Sequence, residues 1–527
     1  MHAKVLFRGG PLFDLPGPEA LAVSSGLITA IGSSSDLAGL IRPATRVVEL
    51  RGRPLLPGFV DAHTHLDGYA QARQQLDLEG VQSLAEVARL VAERAAGLPT
   101  GAWILGRGWL RDGLERWPTA ADLDPVSGSH PVALASHDVH ALWVNSRALE
   151  LAGIDAETAE PSGGAIVRGE GPDGRRPSGL LLESAQELVR RLIPRPSLEE
   201  RTAALAAVVA EASRLGLAGA HDFEGHGSLE AFRALRDRGQ LGLRVTMGAT
   251  RSALEAHDWG ELFGGDDWLR VGLVKLYADG ALGSRTAFML EPYEGDGSQA
   301  RGIARLEHDE LLGLVRRARG RGLGVAVHAI GDGAVRLVLD AFERARADAA
   351  PAARSHILRI EHAQLIDPAD LPRFTQLGVI ASMQPNHCPS DRPLAEAHWG
   401  QRCANAYAWR SVLESGAALA LGTDCPVESL DPLWNLHAAV TRQDRTGSPP
   451  GGWHPEQRLT LEQAIRAYTL GSARASGTHH SGGGLRVGAR ADLVVLSEPI
   501  VGRPAETLLR ARVELTLVGG RIVFERD

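Results

Sequence analysis

The chain contains almost no lysine. Among its 56 lysine and arginine residues only Lys4 and Lys275 are lysines, so arginine supplies nearly all of the positive charge. Cysteine is scarce as well: Cys388, Cys403 and Cys425 are odd in number and show no CxxC spacing. This composition argues against a disulfide scaffold and is typical of a protein in the reducing cytoplasm.

Long apolar runs and blocks of like charge are also missing. No stretch reaches the roughly 18 apolar residues that span a bilayer, and the first residues lack the apolar core of a signal peptide. The net charge is −8, and 64 carboxylates are interleaved with the basic residues. We therefore expect a soluble cytoplasmic protein that binds neither nucleic acid nor membrane.

Both ends of the chain are rich in short segments with the pattern of strands. Residues 1–56 contain AKVLFRGG, ALAVSSGLITAIG and TRVVELRGRPLLPG, in which β-branched alternation is interrupted by glycine. The C-terminal part contains ADLVVLSEP and VELTLVGGRIVFERD. Because chain termini often lie close together, we expect these two ends to form one small sheet domain.

Between these ends, helical segments and short apolar strands alternate from about Ala203 onward. This alternation indicates a parallel sheet covered by helices, that is, an α/β fold. Eight parallel strands close a (β/α)8 TIM barrel. The alternative is an open doubly wound sheet, but no G-x-G-x-x-G follows any of the strands. The eight predicted strands are GFVDAHTH, LAGAHDF, LRVTMGAT, VGLVKLYADG, LGVAVHAIGD, ILRIEHAQL, VIASMQPN and AALALGTD.

Residues 66–192 interrupt this pattern after the first strand. They contain four tryptophans and a glycine- and proline-rich stretch, EPSGGAIVRGEGPDGRRPSG. We interpret them as an insertion at the barrel mouth that is part helical and part loop.

Polar residues stand where the apolar runs end, which in a barrel is the face that carries the active site. Strand alternation sends the side chains of His63 and His65 to the same face, as a two-imidazole clamp for a metal. His328, His362 and Asp424 end the fifth, sixth and eighth runs. Because buried polar groups need partners and a metal supplies them jointly, the set predicts a metal site.

Lys275 follows the fourth run and is one of the two lysines of the chain. A lysine amine that has added carbon dioxide becomes a carbamate, an anionic ligand able to bridge two metals. A guanidinium is a poor nucleophile toward carbon dioxide, which would explain why lysine is kept here. The alternative chemistry is a Schiff-base enzyme with Lys275 as the covalent nucleophile, which leaves the histidines and Asp424 unexplained.

The ordered motifs PGFVDAHTH, VKLYADGALGSRTA, VAVHAIGDGAV, RIEHAQ, SMQPNH and GTDCPVES resemble the amidohydrolase superfamily. The similar branch is amidohydrolase family 3, the YtcJ-like or N-substituted formamide deformylase-like group. The resemblance covers nearly the whole chain. It implies a metal-dependent hydrolase barrel at residues 57–483 with a composite β-sandwich made of residues 1–56 and 484–527.

The resemblance also implies the ligands of one or two Zn²⁺ ions and a function for them. The implied activity is hydrolysis of an amide, N-formyl or N-acyl C–N bond of a small molecule. Lys275 would be N6-carboxylysine, and Asp424 would carry the catalytic proton. The implied metal ligands are His63, His65, Lys275, His328, His362 and Asp424.

Further residues are predicted to contact the substrate, and other functions stay open. Within the superfamily, the alternatives are a deaminase or a metal-dependent isomerase. Outside it, the alternative is a non-catalytic metal-binding or scaffold protein. A homodimer is expected from the frequency of two-fold assemblies. The predicted substrate contacts are His140, Asp279, Arg285, Gln384 and His387.

Overall fold

The computed structural model describes residues 3–110, 114–136, 141–161, 163–169, 174–256, 264–295, 299–347 and 356–527. The chain divides into two compact units, Met1–Asp67 with Leu205–Asp527, and Gly68–Ala204. No helix in these ranges is long and apolar enough to cross a membrane. The three cysteines are buried.

The strands follow one another along the described ranges in this order: β1 (Val5–Arg8), β2 (Ala20–Ser24), β3 (Leu27–Gly32), β4 (Arg46–Glu49), β5 (Leu55–Pro57), β6 (Phe59–Thr64), β7 (Leu76–Asp77), β8 (Ile104–Trp109), β9 (Val132–Ser136), β10 (Ala141–Val144), β11 (Gly164–Arg168), β12 (Pro177–Glu183), β13 (Leu217–Asp222), β14 (Arg244–Ala249), β15 (Gly264–Gly265), β16 (Leu269–Tyr277), β17 (Gly324–Ala329), β18 (Leu358–His362), β19 (Ile380–Met383), β20 (Leu419–Leu421), β21 (Leu493–Leu496), β22 (Val513–Val518) and β23 (Arg521–Glu525).

The helices of the same ranges are α1 (Ser34–Leu37), α2 (Leu66–Ala72), α3 (Leu84–Ala96), α4 (Ala120–Ser127), α5 (Ser146–Ala152), α6 (Glu187–Arg190), α7 (Leu198–Arg214), α8 (His226–Asp237), α9 (Arg251–Glu255), α10 (His308–Gly320), α11 (Asp332–Ala347), α12 (Leu371–Leu377), α13 (His387–Trp399), α14 (Trp409–Glu414), α15 (Pro432–Thr441), α16 (Leu461–Arg466) and α17 (Ser472–Ala475).

Eight parallel strands form the centre of the first unit, in the order β6, β13, β14, β16, β17, β18, β19, β20. The last and first strands meet just beyond their ends. There the Asp424 N–H donates to the carbonyl of His63 at 2.7 Å, and the His65 N–H donates to that of Cys425 at 2.8 Å. These bonds nearly close the sheet, so the predicted TIM-barrel-like fold is confirmed.

The barrel strands are buried along both faces because helices cover them from outside. Every residue of β13 and β18 is buried. One covering helix, α11, buries Val335, Val338, Leu339 and Phe342, whose spacing follows the helical period. The eight strands therefore hold their end residues in fixed relative positions.

Gly422 makes the close approach of the last strand to the first possible. A Cβ atom at this position would lie 2.5 Å from the backbone nitrogen of His63. Any larger residue would push Asp424 and His63 apart. The glycine of GTDCP is thus required by the same contact that brings the two site residues together.

Two four-stranded sheets are built from the ends of the chain. One has the order β3, β2, β1, β4, and the other has the order β23, β22, β21, β5. Because β5 pairs with β21, the N-terminal and C-terminal parts share a sheet. Phe7, Leu21, Leu493 and Leu515 belong to one apolar cluster that spans both sheets. The assignment of these sheets to a separate sandwich domain stays a prediction.

The second unit, Gly68–Ala204, contains a six-stranded sheet in the order β11, β12, β10, β9, β8, β7. This differs from the helix and loop expected for residues 66–192. The strands are short, β7 having two residues, and proline and glycine interrupt the sequence between them. Such segments give no sustained alternation. The assignment of residues 66–192 as an insertion at the barrel mouth stays a prediction.

Candidate metal centre

Three side chains meet at the carboxyl end of the barrel. His63 stands in β6, His362 ends β18, and Asp424 follows β20. One nitrogen or oxygen atom from each lies within 4.8 Å of the other two, and all three residues are buried. Strands one, six and eight of the barrel thus bring residues far apart in sequence to one point.

His63 presents its Nε2 atom to this point because Nδ1 is occupied. Nδ1 lies 2.7 Å from Oε2 of Glu361, which can only accept, so Nδ1 carries the proton. Burial, with repulsion from Lys275, lowers the pKa of His63 to about 3. The ring is therefore neutral at pH 7, and the Nε2 lone pair is available to a metal.

Asp424 is the common neighbour of the histidines. Its Oδ1 lies 3.5 Å from Nε2 of His63 and 3.4 Å from Nε2 of His65, and its Oδ2 lies 3.3 Å from Nε2 of His387. Burial alone would raise the pKa of Asp424, but these histidines hold it well below its usual range. Asp424 is thus a carboxylate at neutral pH.

His65 has a second carboxylate on its other side. Its Nδ1 lies 3.6 Å from Oε1 of Glu224. Burial opposes the charge on His65, but hydrogen bonding to Asp424 and Glu224 outweighs it and raises the pKa to about 9. A metal that binds here therefore competes with a proton on His65.

Two residues of the candidate metal centre have an unusual backbone conformation. His362 has a φ of 72° and Asp424 a φ of 61°, in the left-handed region that non-glycine residues rarely adopt. Strand alternation does not fix the direction of a side chain at such a residue. The Nδ1 atom of His362 is buried and has no hydrogen-bond partner among the described residues. Strain of this kind is concentrated at functional sites.

Lys275 reaches the same point from β16. Its Nζ lies 3.0 Å from Nε2 of His63 and 4.5 Å from the centre of the Phe223 ring, and the residue is 4% exposed. Burial lowers the pKa of this lysine to about 8. The structure thus brings the one lysine of the barrel to the histidines, as the sequence predicts.

His328 lies beside His362, with a ring-to-ring distance of 4.5 Å, but its Nε2 points to the Gly280 carbonyl at 2.8 Å. A carbonyl only accepts, so Nε2 carries the proton and Nδ1 is the free nitrogen. Burial lowers the pKa of His328 to about 4. His328 is therefore a neutral imidazole at the edge of the group.

Asp279 is predicted as a substrate contact, but the structure gives it a different position. Its carboxylate is fully buried and accepts hydrogen bonds from the backbone N–H groups of Phe288, Ile330 and Gly331. It also lies 3.5 Å from Nε2 of His328. Asp279 thus holds two loops together beside His328, and its role as a substrate contact stays a prediction.

The other predicted substrate contacts differ in their distance from the metal centre and in their burial. His387 lies within the group, while Gln384 is buried and its Oε1 atom has no hydrogen-bond partner in the described ranges. Arg285 is exposed on the loop after β16. His140 lies outside the described residues. The substrate role of these four residues stays a prediction.

A buried ion pair inside the barrel supports His63, and the sequence analysis missed it. Arg359 and Glu361 are both fully buried and form a two-bond ion pair, at 2.5 and 3.0 Å. Arg359 also donates to the hydroxyl of Ser382 at 2.9 Å and to the Ala62 carbonyl at 2.6 Å. The pair holds Glu361 against His63. Two opposite charges two residues apart in an apolar strand were the signal.

The donor set suits a metal ion. Imidazole nitrogen and carboxylate oxygen are ligands that Zn²⁺ and related divalent metals prefer. His63 is held in one tautomer by a carboxylate, which is the common second partner of a metal-binding histidine. Among the described residues, the Nδ1 atom of His362 has no hydrogen-bond partner, which fits a nitrogen that binds a metal ion.

Comparison with known proteins places the chain in a family. The model of the family described as amidohydrolase family matches residues 46–524. The chain belongs to the amidohydrolase family. It is 33% identical over 540 residues to the protein YtcJ of Bacillus subtilis (strain 168), which covers 99% of this chain and 100% of YtcJ. It is 27% identical over 536 residues to the N-substituted formamide deformylase of Arthrobacter pascens, covering 96% and 95%.

A solved structure extends the family assignment to the fold. The crystal structure of an uncharacterized metal-dependent hydrolase from Pyrococcus furiosus matches with a TM-score of 0.77 and 29% identity, and the match covers 95% of this chain and 99% of that one. This amidohydrolase is therefore a metal-dependent hydrolase, and its histidine and aspartate group is where a metal cofactor fits. The predicted family is confirmed.

Proposed function

We propose that this amidohydrolase cleaves a C–N bond of a small-molecule amide, of the N-formyl or N-acyl amine class, with Zn²⁺ as its metal. The observation that carries the proposal is the meeting of His63, His362 and Asp424 within 4.8 Å. The likeness to an N-substituted formamide deformylase over nearly the whole length supports the substrate class.

The histidine and aspartate ligands of the proposed centre come from four barrel strands, and Lys275 reaches it from a fifth. His63, His362 and Asp424 form its middle, and His65 lies against the same carboxylate. His328 would take part through its unprotonated Nδ1. Zn²⁺ at this centre would polarise a substrate carbonyl and make water acidic enough to lose a proton near neutral pH.

Asp424 is the proposed proton carrier. It is ionised at neutral pH, it is 7% exposed, and its two oxygens face different histidines. A carboxylate in this position accepts the proton of the attacking water and delivers it to the amine that leaves. His65 and His387 hold the two oxygens and so fix the direction of this transfer.

Lys275 is the proposed modified residue. Its amine lies in a buried position 3.0 Å from Nε2 of His63, where an uncompensated ammonium would repel a metal cation. Addition of carbon dioxide converts the amine to a carbamate and releases a proton. The side chain then offers two oxygen atoms to the centre in place of a positive charge.

Elemental analysis and an amide panel test the proposal together. The purified chain should contain one or two Zn²⁺ per molecule and should release amine from at least one N-formyl or N-acyl amine. Chelation should abolish this turnover, and added Zn²⁺ should restore it. His362→Ala should lower the metal content, whereas His308→Ala, which changes a half-exposed histidine of α10, should leave it unchanged.

Two results would contradict different parts of the proposal. Bound metal with no cleavage across the panel would exclude the C–N substrate class and leave the centre standing. Equal metal content in His362→Ala and His308→Ala would exclude the centre itself.

A further inference from the structure

A cavity lies at the amino end of the barrel, opposite the candidate metal centre. It is a groove of about 700 Å³ formed at the amino ends of the strands. Gly272 lies in the first half of β16, Gly324 and Ile380 are the first residues of β17 and β19, and Ile357 and Ala418 come just before β18 and β20. The groove is thus separated from the candidate metal centre by the length of the barrel.

The ionisable residues that line this groove are all basic. It contains three arginines and three histidines, and no aspartate or glutamate occurs among its described lining residues. This is unusual in a chain whose net charge is −8. The basic lining residues are Arg270, Arg346, Arg474, His356, His479 and His480.

The guanidinium of Arg270 interacts with the carboxylate of Asp267 only at longer range. Arg270 is partly buried, and within the described ranges it forms no ion pair; its Nε donates only to the Thr246 hydroxyl, at 3.3 Å. Burial and repulsion from Arg490 lower its pKa. The absence of a side chain at Gly272 leaves space beside the guanidinium. Burying an unpaired cation costs free energy unless an anion accompanies it.

His479 is a second, independent indication that the groove binds an anion. Its Nδ1 atom is buried and has no hydrogen-bond partner in the described part of the chain. Burial and the neighbouring basic groups His480, Arg474 and Arg486 lower the pKa of His479. The rings of His479 and His480 lie 3.9 Å apart. Adjacent imidazoles and guanidiniums without a carboxylate offer many donors and few acceptors.

We propose that this groove is a binding site for a small phosphate-bearing anion, held by Arg270, Arg474 and His479. The planar guanidinium fork matches the oxygens of a phosphate, and the histidine contributes a further N–H donor. The volume exceeds that of one phosphate group, so the groove has room for a phosphorylated small molecule. The proposal does not depend on the chemistry at the other end of the barrel.

Calorimetric titration of the full-length protein tests this site, with inorganic phosphate, pyrophosphate and glycerol 2-phosphate as probes at low ionic strength. We expect saturable binding of one anion per chain. Arg474→Gln should weaken it about tenfold or more, because a charge-assisted contact is lost. Arg474 is exposed, so this variant should fold, and circular dichroism checks it.

The matched control is Arg410→Gln, which removes a partly exposed arginine of α14 outside the groove. It should bind the probes as the unchanged protein does. Tighter binding of glycerol 2-phosphate than of inorganic phosphate would identify a phosphorylated organic ligand, and the reverse order would identify free inorganic anions. Non-saturable binding, or equal weakening by the two variants, would overturn the proposal.

Discussion

The two ends of this barrel are both rich in histidine, yet they differ in what stands beside the histidines. At the carboxyl end, Asp424 and Glu361 lie against the imidazole rings, and the lone pairs converge. At the amino end, the neighbours of His479 are Arg474 and His480, with no carboxylate in the described lining. The same residue type thus has carboxylate neighbours at one end and basic neighbours at the other.

This difference shows why a histidine count alone says little about function. A carboxylate beside one ring nitrogen fixes the proton there and leaves the other nitrogen for a cation. A guanidinium beside the ring keeps both nitrogens from a metal and favours an anion. The two ends should therefore respond in opposite ways to the removal of a charge.

The largest effect is expected from Asp424→Asn. The amide keeps the shape of the side chain but cannot accept a proton, so kcat on a cleaved amide should fall by about 10³-fold, within the usual range for loss of a general base. Steady-state kinetics with elemental analysis of the same sample separates loss of turnover from loss of metal. Near-normal kcat with full metal content would remove Asp424 from the proton transfer.

Because the chain has only two lysines, a carbamate signal can be assigned to Lys275 without ambiguity. With ¹³C-bicarbonate, the protein should show one carbamate carbon signal by NMR, because Lys275 is buried and the other lysine, Lys4, is exposed. Lys275→Arg should abolish the signal, and Lys4→Arg should leave it unchanged. A signal that disappears only in Lys4→Arg would contradict the proposed modification.

A smaller effect is expected from Glu361→Gln. It leaves the buried Arg359 without its counter-charge, which typically costs about 3–5 kcal/mol of stability. It also removes the carboxylate that fixes His63, which should weaken metal affinity about 10- to 100-fold. Chemical denaturation and competition with a chelator measure the two effects.

Ser382→Ala is the control for Glu361→Gln because it removes one hydrogen bond to Arg359 and keeps Glu361. It should cost about 1 kcal/mol and leave metal affinity unchanged. Equal metal affinity in both variants would show that Glu361 does not act on His63.

The sequence alone is sufficient to predict the barrel and the residues that meet at its carboxyl end. All eight strands were predicted, because each is a short apolar run between helical segments. His63, Lys275, His362 and Asp424 were predicted because a polar residue at the end of such a run must reach the same edge. These inferences need only local pattern and the parallel geometry.

The parts that the sequence does not predict depend on partners from distant segments. The role of Asp279 is set by backbone groups of Phe288, Ile330 and Gly331, which no local pattern near Asp279 reveals. The six-stranded sheet of the second unit was not predicted because glycine and proline interrupt the alternation in its longer strands, ILGRGW of β8 and PSGLLLE of β12. The basic groove was not predicted because its three arginines lie in three separate elements, and no acidic residue among its described lining residues marks it in the sequence.

The smallest effect, of opposite sign, is expected at the amino end. Arg474 shares the groove lining with two other arginines and, in the ranges described, forms no ion pair, so Arg474→Gln should raise the free energy of unfolding of the ligand-free protein by at most about 1 kcal/mol. At about 1 M salt the Debye length falls to roughly 3 Å and the gain should disappear. Arg410→Gln, which breaks an exposed pair with Glu414, should instead be neutral or slightly destabilising. Denaturation midpoints of both variants at low and high salt measure these changes in stability. A loss of stability in Arg474→Gln at low salt would contradict the proposed repulsion between the basic residues of the groove.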